Sequence, residues 1–484
     1  MPGFMSCVVK EGQLVHFQAY GSADICGGTP MKADTLFRLY SQTKPVTVVG
    51  ALRLLERGAL SLEDPVAKHI PSFANVVVGD KRQTPNRQML IRDLLAHTSG
   101  VGFGPGFGYE PENDYEQAYV DVVARVDSGD IHSLADWCNE IAKLPLRFHP
   151  GKDWGYGYSS DILGRVVEVV SGLPLDRFLK IEVLDPLGMS DTFFALPTEK
   201  SQRLAALYKR EPWDGSGKNV KFVTTDPGGS GLVSNSSKKV YDRTSDGVGG
   251  SAPSSSVFLQ GRASKVIQGG GCVCSVAGGL VSSLKDYIRF GQMLLNHGEL
   301  DGVRMLQPES VGLLVKDWLN EFSTERRKQP LWVWNTPGIG FSPLGQIGVE
   351  HPDATDRRTV GSALHTVHWG GAGGSGYLIN WPHRVLVLTY TGCAFDTATQ
   401  KAMWRATFGA LRRGGAKPVA ELPEPRLEAR PETPAGAKRP RGRNSTAGTK
   451  EEQSSKKETP AKRRRSSTAS TSSMAGSATK KKAR

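Results

Sequence analysis

The 484-residue sequence is short of several things, and each shortage closes a class of explanation. Its six cysteines, Cys7, Cys26, Cys138, Cys272, Cys274 and Cys393, include no C-x-x-C pair. A zinc site of paired thiolates therefore finds no ligands at its spacing. No run approaches the ~18 consecutive apolar residues of a membrane span, and no secretory apolar segment follows Met1. An intracellular protein with free thiols is expected, with no metal and no cofactor. Residues 415–484 contain no Ile, Phe, Trp or Tyr. Such a stretch cannot bury enough apolar surface to offset the entropy of ordering it, so it is read as a disordered tail.

Charge divides the chain at the same point. Of 61 Lys/Arg, 18 lie in 415–484, with 7 of the 48 Asp/Glu, so the tail carries +11 of the formal net +13 and residues 1–414 carry +2. The clusters Lys438–Arg443, Lys462–Arg465 and Lys480–Arg484 have the composition of nuclear-import or polyanion-binding segments. They point to a nucleic acid or an import receptor as partner and to a cytoplasmic or nuclear location. Residues 1–414 form the folded body, long enough for a large core.

Along that body, FMSCVVK and QLVHFQAYG flank a Glu11-Gly12 turn and read as a hairpin. A helix must begin just upstream of Pro45, which is tolerated only in a first turn, and stop near Gly58. Its apolar residues cover most of its circumference, which predicts burial. Further helical patterns fall at 90–97, 115–127, 133–143, 160–171, 175–183, 284–297 and 308–315. Residues 212–270, rich in Gly and Ser, read as a surface insertion, mostly loop. YLINW (377–381) and RVLVLTYTG (384–392) form a second hairpin, followed by an amphipathic helix at about 395–412. Strands at both ends with helices between them predict an α+β fold: one antiparallel sheet drawn from both ends of the body, with a helical region inserted.

The candidate chemistry begins at SQTK, residues 41–44. Positions three apart share a helix face, so Lys44 can reach the Ser41 hydroxyl. A serine becomes a nucleophile when a base takes its proton, and a lysine does so in its neutral form, which burial or nearby positive charge favours. The spacing alone is weak. Roughly two S-x-x-K matches are expected by composition in a chain this long, and five occur, starting at Ser41, Ser236, Ser282, Ser454 and Ser477. On the tetrapeptide alone, a helix cap is the better explanation of Ser41.

The surroundings separate Ser41 from the others. DTLFRLYSQTKPVT (34–47), LLERGALSLEDPVAKHIP (54–71), IRDLLAHTSG (91–100), the segment FHPGKDWGYGYSSDILG opening at 148, AGGLVSSLKDYIRFGQMLLNHGELDGVRML (277–306) and HWGGAGGSGYLIN (368–380) follow one another in order. Together they resemble the serine β-lactamase-like hydrolases: class C β-lactamases, D-alanyl-D-alanine peptidases and family VIII carboxylesterases, closest to the esterase-like members. The resemblance implies a β-lactamase/transpeptidase-like fold, Ser41 as nucleophile and Lys44 as its proton partner. It implies a catalytic tyrosine at Tyr156, whose Y-S-x-x-x-D-x-L-G-like spacing to Asp161 and Leu163-Gly164 matches the esterase-like members, with Tyr158 as the alternative. Trp369-Gly370-Gly371 stands where β-lactamases carry Lys-Thr-Gly. With His368 these residues are expected to line the substrate pocket, and the amides of Ser41 and Ala372 to form the oxyanion hole. Losing the motif lysine favours neutral esters over β-lactams. His97 and His149 match no catalytic role. The family usually has a helix before its first strand, which this sequence lacks. The expected activity is that of a carboxylesterase working through an acyl-enzyme on small esters. The alternatives are β-lactamase or D-amino-acid peptidase activity, or a silent scaffold of the same fold.

Overall fold

The strand Phe4–Lys10 lies between its hairpin neighbour Gln13–Tyr20 and the far strand Val385–Thr391, with Phe4 opposite Thr391 and Lys10 opposite Val385. From there the sheet continues through Ser375–Asn380, Thr366–Gly370, Gly345–Gly348 and Ile339–Ser342 to seven strands, every neighbouring pair antiparallel. This is the expected α+β arrangement, a β-lactamase/transpeptidase-like sheet with strands from both ends of the body. The computed structural model describes residues 2–104, 113–128, 130–212, 220–224, 232–234, 279–319, 339–348, 365–394 and 396–413. The chain divides into two units, Met1–Leu427 and Glu428–Arg484. Every described element belongs to the first. The second lies outside the described residues, and so do Cys272 and Cys274 of the first.

Successive residues of a strand face opposite sides of a sheet. Met5, Cys7, Val9, Leu386, Leu388 and Tyr390 therefore enter the main core. Val8, Val385 and Val387 enter a second layer with Trp404 and Phe408 of the helix Thr397–Arg413. Burial on both sides explains why VLVLTYT reads as a continuous apolar run. The helix Thr43–Glu56 is buried around most of its surface, as its apolar circumference predicts, and packs against Ser159–Ser171 and Leu175–Leu179. Gly50 makes that approach possible: a Cβ there would lie 2.6 Å from Leu179 Cδ2. The helix ends at Glu56, and Gly58 follows with φ of +69°.

Two features depart from the expected pattern. IGFS and GQIG pair with each other at one side of the sheet, although so short and glycine-rich a segment carries no alternation to announce them. Tyr208–Pro212, Val220–Thr224 and Leu232–Ser234 form a three-stranded antiparallel sheet, so the stretch expected to be mostly loop from 212 begins as sheet. Residues 235–270 of it lie outside the described residues.

Candidate active site

Ser41 stands in a single 3-10 turn, Tyr40–Gln42, that runs directly into the helix Thr43–Glu56. Tyr40 enters the turn in the left-handed region, at φ of 48°, which is uncommon for a residue with a Cβ and persists where the surroundings enforce it. Neither the turn nor the helix has a side-chain cap, so the Ser41 hydroxyl is not used as one. Because the backbone is already helical at Ser41, Lys44 lies on the same face. Lys44 is buried, and its Nζ donates to Ser41 Oγ at 3.3 Å.

Tyr156 comes from the loop before the helix Ser159–Ser171, and its hydroxyl donates to Ser41 Oγ at 2.7 Å. Lys44 Nζ also lies 4.8 Å from the centre of the Tyr156 ring. Three groups able to exchange protons thus meet at one oxygen, within or near hydrogen-bond distance. Tyr158 is placed elsewhere. It is buried among Phe103, Trp137 and Tyr119, with ring centres 4.8, 5.1 and 5.9 Å away.

Strand alternation divides the residues expected to line the pocket. Trp369 turns toward the serine side, its ring 5.4 Å from Tyr156 and 5.6 Å from Phe341. Its neighbour His368 takes the opposite face, against Trp404 at 4.8 Å, where burial holds its imidazole down to about 4. Gly370 faces the same way as His368, and a Cβ there would meet Gln400 at 3.3 Å. His368 and Gly370 therefore face away from Trp369: positions i and i+2 of a strand share a face, and Trp369 falls between them. Gly371 has a different reason to be glycine, since a Cβ on it would lie 2.0 Å from the Leu39 carbonyl oxygen. The turn after the strand rests on the chain that leads into Ser41. Ser375 Oγ donates to the same Leu39 oxygen at 3.2 Å, and Ala372 packs beside Tyr40. Among the described residues, neither the Ser41 nor the Ala372 amide makes a turn or loop hydrogen bond to the backbone.

Sequence reasoning gave His97 no catalytic role and did not single out Phe341, Trp154 or Phe103. His97 stacks on Tyr156, Phe341 meets Trp369 edge-on and Trp154 at a tilt, and Phe103 is tilted against Tyr156. No periodicity signals these contacts, which join separate segments of the chain. His149, by contrast, accepts the Asn86 amide through Nδ1 at 3.3 Å, in line with a structural role. Among the described residues no group of His, Cys, Asp and Glu is arranged to hold a metal, and Cys7, Cys26, Cys138 and Cys393 form no disulfide. Burial pushes the Cys7 thiol up to about 12, which leaves it inert as a nucleophile. No helix among the described residues is long and apolar enough to cross a membrane.

Comparison with known proteins agrees with this architecture. The beta-lactamase family model matches residues 1–410. An uncharacterized protein of Mycobacterium tuberculosis is 31% identical over 403 residues, covering 81% of this chain and 85% of that one. Esterase EstB of Burkholderia gladioli is 27% identical over 405 residues, covering 81% and 86%. Among solved structures, a variant of simvastatin synthase from Aspergillus terreus is similar with a TM-score of 0.61 at 22% identity, covering 86% of this chain and 92% of that one. At that identity the likeness is one of fold.

Proposed function

Since the chain belongs to the beta-lactamase family, whose members include serine hydrolases, we propose that it is a carboxylesterase that cleaves small esters through an acyl-enzyme at Ser41. The observation that carries this reading is the convergence of Tyr156, at 2.7 Å, and Lys44, at 3.3 Å, on Ser41 Oγ. Ser41 Oγ attacks the ester carbonyl carbon, and its proton passes to the Lys44–Tyr156 pair. The tetrahedral oxyanion is held by the Ser41 and Ala372 amides. On collapse the carbon–oxygen bond to the alcohol breaks, and the pair returns the proton to the leaving oxygen. Water then repeats the sequence on the acyl-enzyme, releasing the acid and restoring Ser41. Trp369 and Phe341 supply an apolar wall beside Tyr156. The esterase named among the relatives supports the same choice of substrate.

A fluorophosphonate probe tests this directly. It is expected to label the wild-type protein and to leave Ser41→Ala unlabelled; a folded wild-type protein that takes no label overturns the reading. Short-chain nitrophenyl esters are expected to be turned over in preference to a chromogenic cephalosporin, and the reverse preference transfers the assignment to β-lactam chemistry. The basic tail, residues 415–484, is proposed to bind nucleic acid or an import receptor and to take no part in the reaction. Deleting it is expected to leave ester turnover intact and to reduce retention on DNA.

A further inference from the structure

We propose that His97 is the positioning residue for Tyr156: its ring and its carbonyl oxygen together hold the tyrosine hydroxyl on Ser41. The inference rests on the reading that Tyr156 works on Ser41, and it concerns a residue to which the mechanism gives no task.

His97 ends the short helix Ile91–Ala96 in the left-handed conformation, at φ of 55°, and is buried. That conformation turns the chain so that two parts of one residue reach the tyrosine segment. The His97 carbonyl oxygen accepts the Gly155 amide at 2.9 Å, fixing the backbone next to Tyr156. The imidazole lies against the phenol ring, with centres 4.9 Å apart and planes inclined by 26°. Phe341 meets the imidazole edge-on, at 5.5 Å and 85°, and keeps it from turning away.

One nitrogen of His97 is left unused: its Nδ1 is buried and has no hydrogen-bond partner among the described residues. Burial, with the Lys44 charge as a second cause, holds the imidazole down to about 3, so it is neutral in ordinary buffers and sets no competing cation beside Lys44. What remains is a flat neutral ring in contact with another ring. A tyrosine hydroxyl is far from its backbone, so a modest swing of the ring carries the oxygen out of reach of Ser41. Misplacement by about 1 Å can cost a reaction about 100-fold.

The test uses two substitutions in the full chain. His97→Asn keeps a residue that tolerates the left-handed region but removes the ring; His97→Phe keeps a ring and removes both nitrogens. The expected result for His97→Asn is a loss of about tenfold or more in kcat on a nitrophenyl ester, with KM little changed, and recovery of most of that loss in His97→Phe. In a Tyr156→Phe background His97→Asn is expected to cost nothing further, since no hydroxyl remains there for the ring to misplace. A readout independent of turnover comes from 3-fluorotyrosine at position 156. Its fluorine resonance is expected to shift and broaden in His97→Asn and to stay close to wild type in His97→Phe. An unchanged fluorine resonance in folded His97→Asn, a kcat within twofold of wild type, or a loss that persists undiminished with Tyr156→Phe overturns the proposal. Should Tyr156→Phe alone leave turnover intact, the proposed reaction loses its tyrosine, while the fluorine resonance still decides whether His97 holds the ring.

Discussion

Two described segments share the S-x-x-K spacing, and the structure treats them in opposite ways. Ser41 is in a turn that is already helical, and its lysine three residues on is buried against it. Ser282 is in the strand Val281–Ser283; its hydroxyl is paired with Thr192 at 2.7 Å, and Lys285 is exposed. The capping role weighed for Ser41 is instead filled next to Ser282, by Ser283, which accepts the Asp286 amide at the start of Leu284–Leu295. Spacing becomes adjacency only where the backbone between the residues is helical. An extended chain carries positions three apart roughly 10 Å from one another.

The strongest way to break this comparison is to remove each serine. Ser41→Ala is expected to lower ester turnover by about 10⁴-fold or more. Ser282→Ala should leave turnover within twofold and cost about 1 kcal/mol in urea unfolding, from the lost Thr192 partner. Equal losses of turnover in the two variants would remove the distinction. Next come the neighbours. Lys44→Ala and Tyr156→Phe are each expected to reduce kcat by about 10²–10⁴-fold. Lys285→Ala, at an exposed site, should change stability by no more than about 0.5 kcal/mol and turnover hardly at all.

Gly371→Ala sharpens the comparison from the sheet side. Its Cβ would collide with the Leu39 carbonyl, so a loss of about 1–3 kcal/mol is expected in thermal unfolding. Ester turnover should fall with it, because the displaced chain leads into Ser41. The response to acid also has opposite signs in the two regions. His97 is held down to about 3 when folded, so between about 3 and its ordinary value of 6.5 the unfolded chain binds more protons. Stability from this group is complete above 6.5 and falls with pH, by up to about 2 kcal/mol at pH 5. Beside Ser282, burial raises the Asp286 carboxyl instead. There the folded chain binds the extra proton, and acidification relieves a cost. Urea unfolding at pH 7 and pH 5, with His97→Asn as the control that flattens the first response, measures the difference.

Much of this architecture is legible in the sequence, for identifiable reasons. Long apolar strands and a helix apolar on nearly every side announce themselves, so the two hairpins and the helix after Pro45 can be read directly. The resemblance to the esterase-like members favours Tyr156 over Tyr158, and the geometry puts Tyr156, not Tyr158, on Ser41. What a sequence hides is which way residues face within a motif. Trp369, His368 and Gly370 fall into one group because they are consecutive, yet a strand sends neighbours to opposite sides. His97 is named in the sequence reading but given no catalytic role, because its contact is with a ring from another segment. The strands Ile339–Ser342 and Gly345–Gly348 carry no periodic signal, since most of their residues are glycine or polar and suit a loop equally well.

The pairing of Phe4–Lys10 with Val385–Thr391 also sets a timetable for synthesis. The first of these strands leaves the ribosome ahead of every other described element, and its inner neighbour in the sheet leaves almost last. Until then Met5, Cys7 and Val9 have only the hairpin partner Gln13–Tyr20, and one backbone edge of Phe4–Lys10 stays open. The helices between can settle early, but closure of the sheet must await nearly the whole body, and contacts so distant in sequence form slowly. A nascent chain of this fold therefore carries an apolar strand with one edge open through most of its elongation, the kind of edge that invites aggregation or a chaperone.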